Sequence, residues 1–125
     1  MGAAFLLGID AGTTVIKCTL FALDGREVAG ASHPSSLLTA RPGWAEADMD
    51  AVWAAVIHTV RGALAAAAPA GITAADVLAV GVTGQGDGMW LVDKAGEPVA
   101  PAWLWLDARA ASIAEHFVTS ADHAA

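Results

Sequence analysis

The sequence predicts an α/β fold, on three observations. Two β-rich runs joined by a tight turn open the chain, one long amphipathic helix occupies its middle, and a further apolar strand then runs into a glycine-rich loop. Strands on both sides of a helix bury their apolar faces by layering sheet against helix. The 125 residues suit one domain with a core of its own, and no repeat or Gly/Ser- or Pro-rich linker divides them.

The apolar run Ala4–Ile9 ends in Asp10-Ala11-Gly12-Thr13-Thr14, the pattern of a buried strand entering a tight turn. Val15–Leu23 is β-branched and partly alternating. Ile16, Cys18, Leu20 and Ala22 fall on one face, and Lys17, Thr19 and Phe21 on the other. Asp24-Gly25 is a turn signal, and Arg26–His33 reads as a third strand. The opening is therefore expected to be an antiparallel meander.

Ser35–Asp50, with Pro34, Pro42 and Gly43, reads as loop. Asp48 or Asp50 is placed to cap the next helix by accepting from free N–H groups of its first turn. Val52, Trp53, Val56, Ile57, Val60 and Leu64 share one helical face, so that face, Trp53 included, is expected in the core. Pro69 and Gly71 end the helix. Val77–Val82 reads as a short buried strand leading into Gly84–Gly88. Met89–Val92 and Ala102–Leu106 read as further short strands, separated by a Lys94–Gly96 turn. Asp107 is a candidate cap for a last helix reaching about Phe117, and Thr119–Ala125 is expected to fray.

Thirteen acidic against six basic side chains give a net charge of −7, which argues against a nucleic-acid partner. The single cysteine, Cys18, excludes an intrachain disulfide framework and is too few for a zinc ribbon. About a quarter of the chain is alanine, which inflates the apolar fraction without adding much burial. The longest uncharged run, Gly62–Ala75, contains Pro69 and Gly71, and Ala3–Ile9 has no basic flank. Neither a membrane span nor a secretory signal is predicted, and a soluble, cytoplasmic protein is expected. The hairpin opening excludes the standard dinucleotide fold, and no P-loop consensus is present.

Three clusters carry chemistry. In Gly8–Thr14 with Lys17, Gly12 lets the chain bend close to a ligand, and Thr13 and Thr14 offer hydroxyl donors to phosphate oxygens. Lys17 adds a positive charge, and Asp10 a hard oxygen suited to Mg²⁺ or its waters. The same residues serve equally as a hairpin turn bonded to its own backbone. In Gly81–Gly88, the amide of Gln85 and the carboxylate of Asp87 are partners for polyol or sugar hydroxyls; a solvated flexible turn is the plainer alternative. In Trp103–Arg109 the aromatics read as core, and Asp107 and Arg109 as a helix cap and a solvated ion partner. His33, His58, His116 and His123 show no metal spacing and read as structural or solvated.

Together, and in this order, the clusters resemble the opening of the FGGY family of carbohydrate kinases. Gly8-Ile9-Asp10-Ala11-Gly12-Thr13-Thr14 with Lys17 is similar to the family's phosphate segment. Pro42, Gly43, Trp44, Glu46, Asp48 and Trp53 match a segment typical before its Trp-bearing helix. Gln85-Gly86-Asp87 matches its substrate loop, and Trp105, Asp107 and Arg109 match the wall of its sugar site. The resemblance covers nearly the whole chain. It implies an actin-like, ribonuclease H-like fold and transfer of the γ-phosphoryl group of ATP, with Mg²⁺, to a hydroxyl of a small-molecule sugar or polyol. It further implies phosphate binding by Gly12, Thr13, Thr14 and Lys17, metal binding by Asp10, and substrate binding by Gln85, Gly86, Asp87, Trp105 and Asp107. The Asp87 loop looks most similar to erythritol-type and related polyol kinases, with xylulose-type kinases next.

Family chains are several times longer, and their catalytic carboxylate lies downstream of any position matched here. Residues 1–125 are therefore expected to be the first part of an N-terminal domain, inactive alone. The catalytic base, the adenine pocket and any homo-oligomer contact are expected in parts beyond Ala125. The competing readings are a non-catalytic nucleotide- or sugar-binding remnant and another actin-like ATPase.

Overall fold

Strands β1 (Phe5–Ala11), β2 (Val15–Ala22) and β3 (Glu27–Pro34) form the expected antiparallel meander, with Phe5 opposite Ala22 and Ala11 opposite Ile16. A computed structural model describes residues 4–120. The β2–β3 turn closes through the Gly25 N–H on the Ala22 carbonyl at 2.9 Å, with Gly25 at φ 86°. That left-handed backbone is what the Asp24-Gly25 pair supplies.

A helix, α1 (Met49–Ala67), crosses over and delivers β5 (Val77–Gly84) parallel to β1, giving the sheet order β3-β2-β1-β5. Parallel neighbours need such a crossover. Asp48 caps α1 by accepting from the Ala51 N–H at 3.0 Å, while Asp50 places a negative charge in the first turn. A 3₁₀ turn, Ala68–Ala70, follows with Pro69 as its second residue, and Gly71 at φ 75° ends it.

The face that α1 turns to the sheet differs from the expected one. Its buried residues are Ala55, Thr59, Ala63 and Ala67, whereas Trp53 is 65 % exposed. Small side chains let the helix lie close to β2 and β3, so close that a Cβ on Gly62 would stand 3.0 Å from the Ala31 Cβ. Phe5, Leu7, Cys18, Leu20, Ala63, Ala67 and Ile72 make the core beneath it. The bulky stripe instead lines an open apolar groove of about 690 Å³ with Ile9, Ala11, Val82 and Trp90. Periodicity identified the helix, but alanine-rich packing chose the buried side. By length and composition Met49–Ala70 is long and apolar enough to cross a membrane, a property the uncharged-run criterion missed. Here it serves as the helix layer of the α/β unit.

β5 also departs from expectation. Leu78 and Val82 are 66 % and 72 % exposed rather than buried, because β5 is an edge strand with one described neighbour.

The segment between β3 and α1 is more ordered than a plain loop. Leu38 and Glu46 exchange backbone hydrogen bonds at 2.8 and 2.9 Å, and β4 (Glu46–Ala47) pairs with β6 (Ala102–Trp103). The two-strand reading of Met89–Val92 and Ala102–Leu106 shrinks to β6 and isolated bridges, Met89 to Trp103 and Val92 to Pro98. After Trp103 the chain turns away, as the Leu104 N–H bonds the Ala45 carbonyl at 2.9 Å. Ala45, Ala47, Ala102 and Leu104 form a second small core. The last helix, α2 (Ala111–Thr119), starts after Ala110 with no side-chain cap, so Asp107 does not cap it. The expected frayed tail begins at Thr119, which is still in α2, and its residues 121–125 lie outside the described ones.

Candidate functional site

The turn from β1 to β2 consists of Gly12, Thr13 and Thr14. A Cβ at Gly12 would stand 2.7 Å from the Val15 carbonyl oxygen, so the turn admits only glycine there. Asp10, one residue before β1 ends, is register partner to Lys17 on β2 and to Thr83 on β5. All three line an open concavity of about 490 Å³ on the sheet face away from α1. Gly8 and Gly81 keep its floor low, since a Cβ on Gly8 would press on the Phe21 ring at 3.3 Å. The Asp10 carboxylate and Lys17 ammonium are solvent-exposed, and neither makes an ion pair within 4 Å of a described residue.

The second cluster follows β5. Gly84 lies so near Ala11 that a Cβ would stand 3.1 Å from its carbonyl oxygen, and the Gln85 N–H donates to that carbonyl at 3.3 Å. The Thr13 hydroxyl donates to Gln85 Oε1 at 3.0 Å and accepts from the Trp105 indole Nε1–H at 3.3 Å. One hydroxyl therefore joins the β1–β2 turn, the Gln85 loop and the Trp105 segment. Gly86 and Asp87 are exposed, with Asp87 at φ 55°, a left-handed backbone that Asp tolerates better than most residues.

Asp107 sits in a neighbouring clamp. Its carboxylate accepts from the Ala45 N–H at 2.7 Å and from Arg109 Nε and Nη2 at 2.9 and 2.8 Å. Arg109 reaches Glu46 with Nη1 at 2.8 Å, and its guanidinium lies 4.0 Å from the Trp44 ring centre and 3.7 Å from that of Trp103. The Asp107 and Arg109 side chains are 6 % and 16 % exposed, so the expectation of a solvated ion partner is corrected. The Arg109 hydrogen bond holds the Asp107 carboxyl well below the ordinary carboxylate range. Burial opposes that shift, and the Ala45 and Arg109 N–H groups reinforce it. The clamp fixes the Pro42–Asp48 segment to the Trp103–Arg109 segment, with the Ala108 N–H adding a bond to the Gly43 carbonyl at 2.8 Å.

Sequence reasoning named Thr13, Gln85 and Trp105 separately, and folding brings them into contact. It missed the pairing of Glu46 with Arg109 and the stacking on Trp44, although complementary charge and a Trp in each of the two segments were the available signal. It also missed that His33 and His58 meet, their ring centres 4.9 Å apart. Nothing in a spacing of 25 positions announces that contact.

Known proteins match the chain in sequence and in fold. A model of the FGGY family of carbohydrate kinases, N-terminal domain, matches residues 5–124. The chain is 41 % identical over 107 residues to erythritol kinase of Brucella abortus, covering 86 % of this chain and 20 % of that one. It is 33 % identical over 109 residues to L-xylulose/3-keto-L-gulonate kinase of Escherichia coli, covering 87 % and 21 %. Among solved structures, a xylulose kinase from Rhodospirillum rubrum superposes with TM-score 0.79 and 28 % identity, over 96 % of this chain and 24 % of that one. A xylulose kinase from Brucella ovis gives 0.82 and 27 %, over 96 % and 24 %. The mixed α/β arrangement is thus that of the N-terminal part of an actin-like ATPase fold. The chain spans about a fifth of the length of the curated relatives it matches.

Proposed function

This chain belongs to the FGGY family of carbohydrate kinases, and on that premise we propose that it supplies the phosphate turn and part of the acceptor site of an ATP-dependent sugar or polyol kinase. The observation that carries the reading is the Thr13 hydroxyl, which holds the phosphate-type turn against the Gln85 loop and Trp105. A phosphoryl transfer enzyme works mainly by positioning and by neutralising charge. A single hydroxyl spanning both sites serves the first need, and Lys17 serves the second.

Asp10 fits Mg²⁺ as an exposed hard-oxygen ligand beside Lys17, Mg²⁺ being usually held by one or two carboxylates together with substrate phosphates. When bound, the ion would neutralise charge on the phosphates. Gly12, Thr13 and Thr14 would cradle phosphate oxygens with their backbone N–H groups and the Thr14 hydroxyl, leaving the Thr13 hydroxyl on Gln85. Gln85, Gly86 and Asp87 would face the acceptor, Asp87 accepting from two hydroxyls at once, and Trp105 would wall the site. Asp107, its oxygens held by Ala45 and Arg109, would support that wall. A tetritol such as erythritol is the preferred acceptor, with a ketopentose next. The enzyme would be cytoplasmic.

The test is to express the product of the reading frame containing these residues and assay it with Mg·ATP against erythritol, glycerol, xylulose, ribulose and ribitol. Asp87→Ala should lower kcat/KM for the acceptor and leave the ATP KM nearly unchanged. Asp10→Asn should lower turnover far more than acceptor affinity. Phosphorylation of none of the five would reject the acceptor class, and unaltered acceptor kinetics in Asp87→Ala would remove this loop from the site.

A further inference from the structure

His33 lies on edge strand β3 and His58 on α1, the helix packed over it, and their rings meet at 4.9 Å between centres with planes 68° apart. His33 Nδ1 is 2.7 Å from the Pro34 carbonyl oxygen. A carbonyl only accepts, so in the neutral ring Nδ1 carries the proton and Nε2 keeps its lone pair. That is the arrangement in which metal-ligating histidines are held, one ring nitrogen donating to a carbonyl and the other free to bind.

We infer that His33 and His58 form a two-imidazole site for a divalent transition metal that prefers nitrogen, namely Zn²⁺, Ni²⁺ or Cu²⁺, tying α1 to β3. With metal–nitrogen bonds of about 2.1 Å, two imidazoles on one ion have ring centres roughly 4.5 Å apart at a right angle and roughly 5.2 Å at the tetrahedral angle. The observed 4.9 Å lies between, so the two rings need only turn from their edge contact, without backbone movement, to present a nitrogen each to one ion. No group of three or more His, Cys, Asp or Glu able to hold a metal occurs among the described residues, so water completes the shell. Hard Mg²⁺ prefers oxygen and is excluded from this site by ligand type, which separates it from Asp10. The two ligands come from different elements and are apart in the unfolded chain, so the metal binds the folded state selectively and stabilises it.

The experiment measures Tm of the 125-residue chain with ZnCl₂, NiCl₂, CuCl₂ or MgCl₂, beside His33→Gln and His58→Gln; His116 and His123 remain in every sample as internal controls. The first three salts should raise Tm of the unaltered chain, MgCl₂ should not, and each substitution should abolish the rise. Electron paramagnetic resonance of bound Cu²⁺ gives a readout independent of melting, with coupling to two imidazole nitrogens expected and reduced to one in either variant. A Tm rise equal in all three proteins, no rise in any, or a Cu²⁺ spectrum unchanged by both substitutions would overturn the site.

Discussion

Thr13 and Gln85, 72 positions apart, are joined by a 3.0 Å hydrogen bond from the Thr13 hydroxyl to the Gln85 side-chain oxygen. The bond crosses from the β1–β2 turn to the loop after β5, two places that β1 and β5 bring together by pairing in parallel. It makes the position of one loop depend on the other.

Thr13→Val removes the hydroxyl while keeping the shape of the side chain. A partly buried neutral hydrogen bond contributes about 0.5–1.5 kcal/mol, so denaturant unfolding should show a loss in that range. Amide exchange at Gln85 and Gly86 should quicken, and Thr13→Ser should restore both. Unchanged exchange in Thr13→Val would mean the loops are held independently.

Because α1 packs through small residues, enlarging that face should be worse than trimming the bulky one. Ala63→Leu places extra methylenes where the side chain is wholly buried, and overpacking typically costs about 1–3 kcal/mol. Trp53→Ala, at an exposed position, should stay within about 0.5 kcal/mol, as surface substitutions usually do. Urea denaturation of both variants checks the order, and the reverse order would restore the face read from periodicity.

The Asp107–Arg109–Glu46 clamp makes stability depend on acid. Asp107 titrates well below the ordinary carboxylate range in the folded chain and near that range when unfolded, chiefly because Arg109 bonds its ionised form. Its contribution is therefore complete above the ordinary range and is lost as pH falls from there through the depressed folded value. Asp107→Asn should be less stable than the parent at pH 7, with the gap closing in strong acid. Thermal melts from pH 7 down to about 2 would show it, and a gap independent of pH would assign the loss to packing.

Edge strand β5 exposes Leu78, Val80 and Val82 beside the apolar groove under α1. Unprotected apolar edges pair with other chains, so this chain alone should self-associate as concentration rises. Val80→Lys with Val82→Glu should suppress that in sedimentation velocity. A monodisperse parent monomer at high concentration would contradict it.

The hairpin opening, the capped helix and the strand before the glycine loop were legible in the sequence because each is set locally. Asp24-Gly25 specifies a turn, Asp48 a cap, and alternation in Val15–Ala22 a two-faced strand. The family was legible too, because its motifs are short, ordered and rich in residues with special backbone needs, such as Gly12. Four features were decided only by the tertiary structure. The buried face of α1 went to its alanines, since close approach to Ala31 outweighed the size of the bulky stripe. β5 became an exposed edge because burial depends on neighbours that periodicity does not count. Asp107 left the helix it was placed to cap for Arg109 and Ala45, and Thr13 found Gln85 and Trp105. Local sequence sets which groups are offered to a site, but partners tens of positions away are chosen by the register of the sheet.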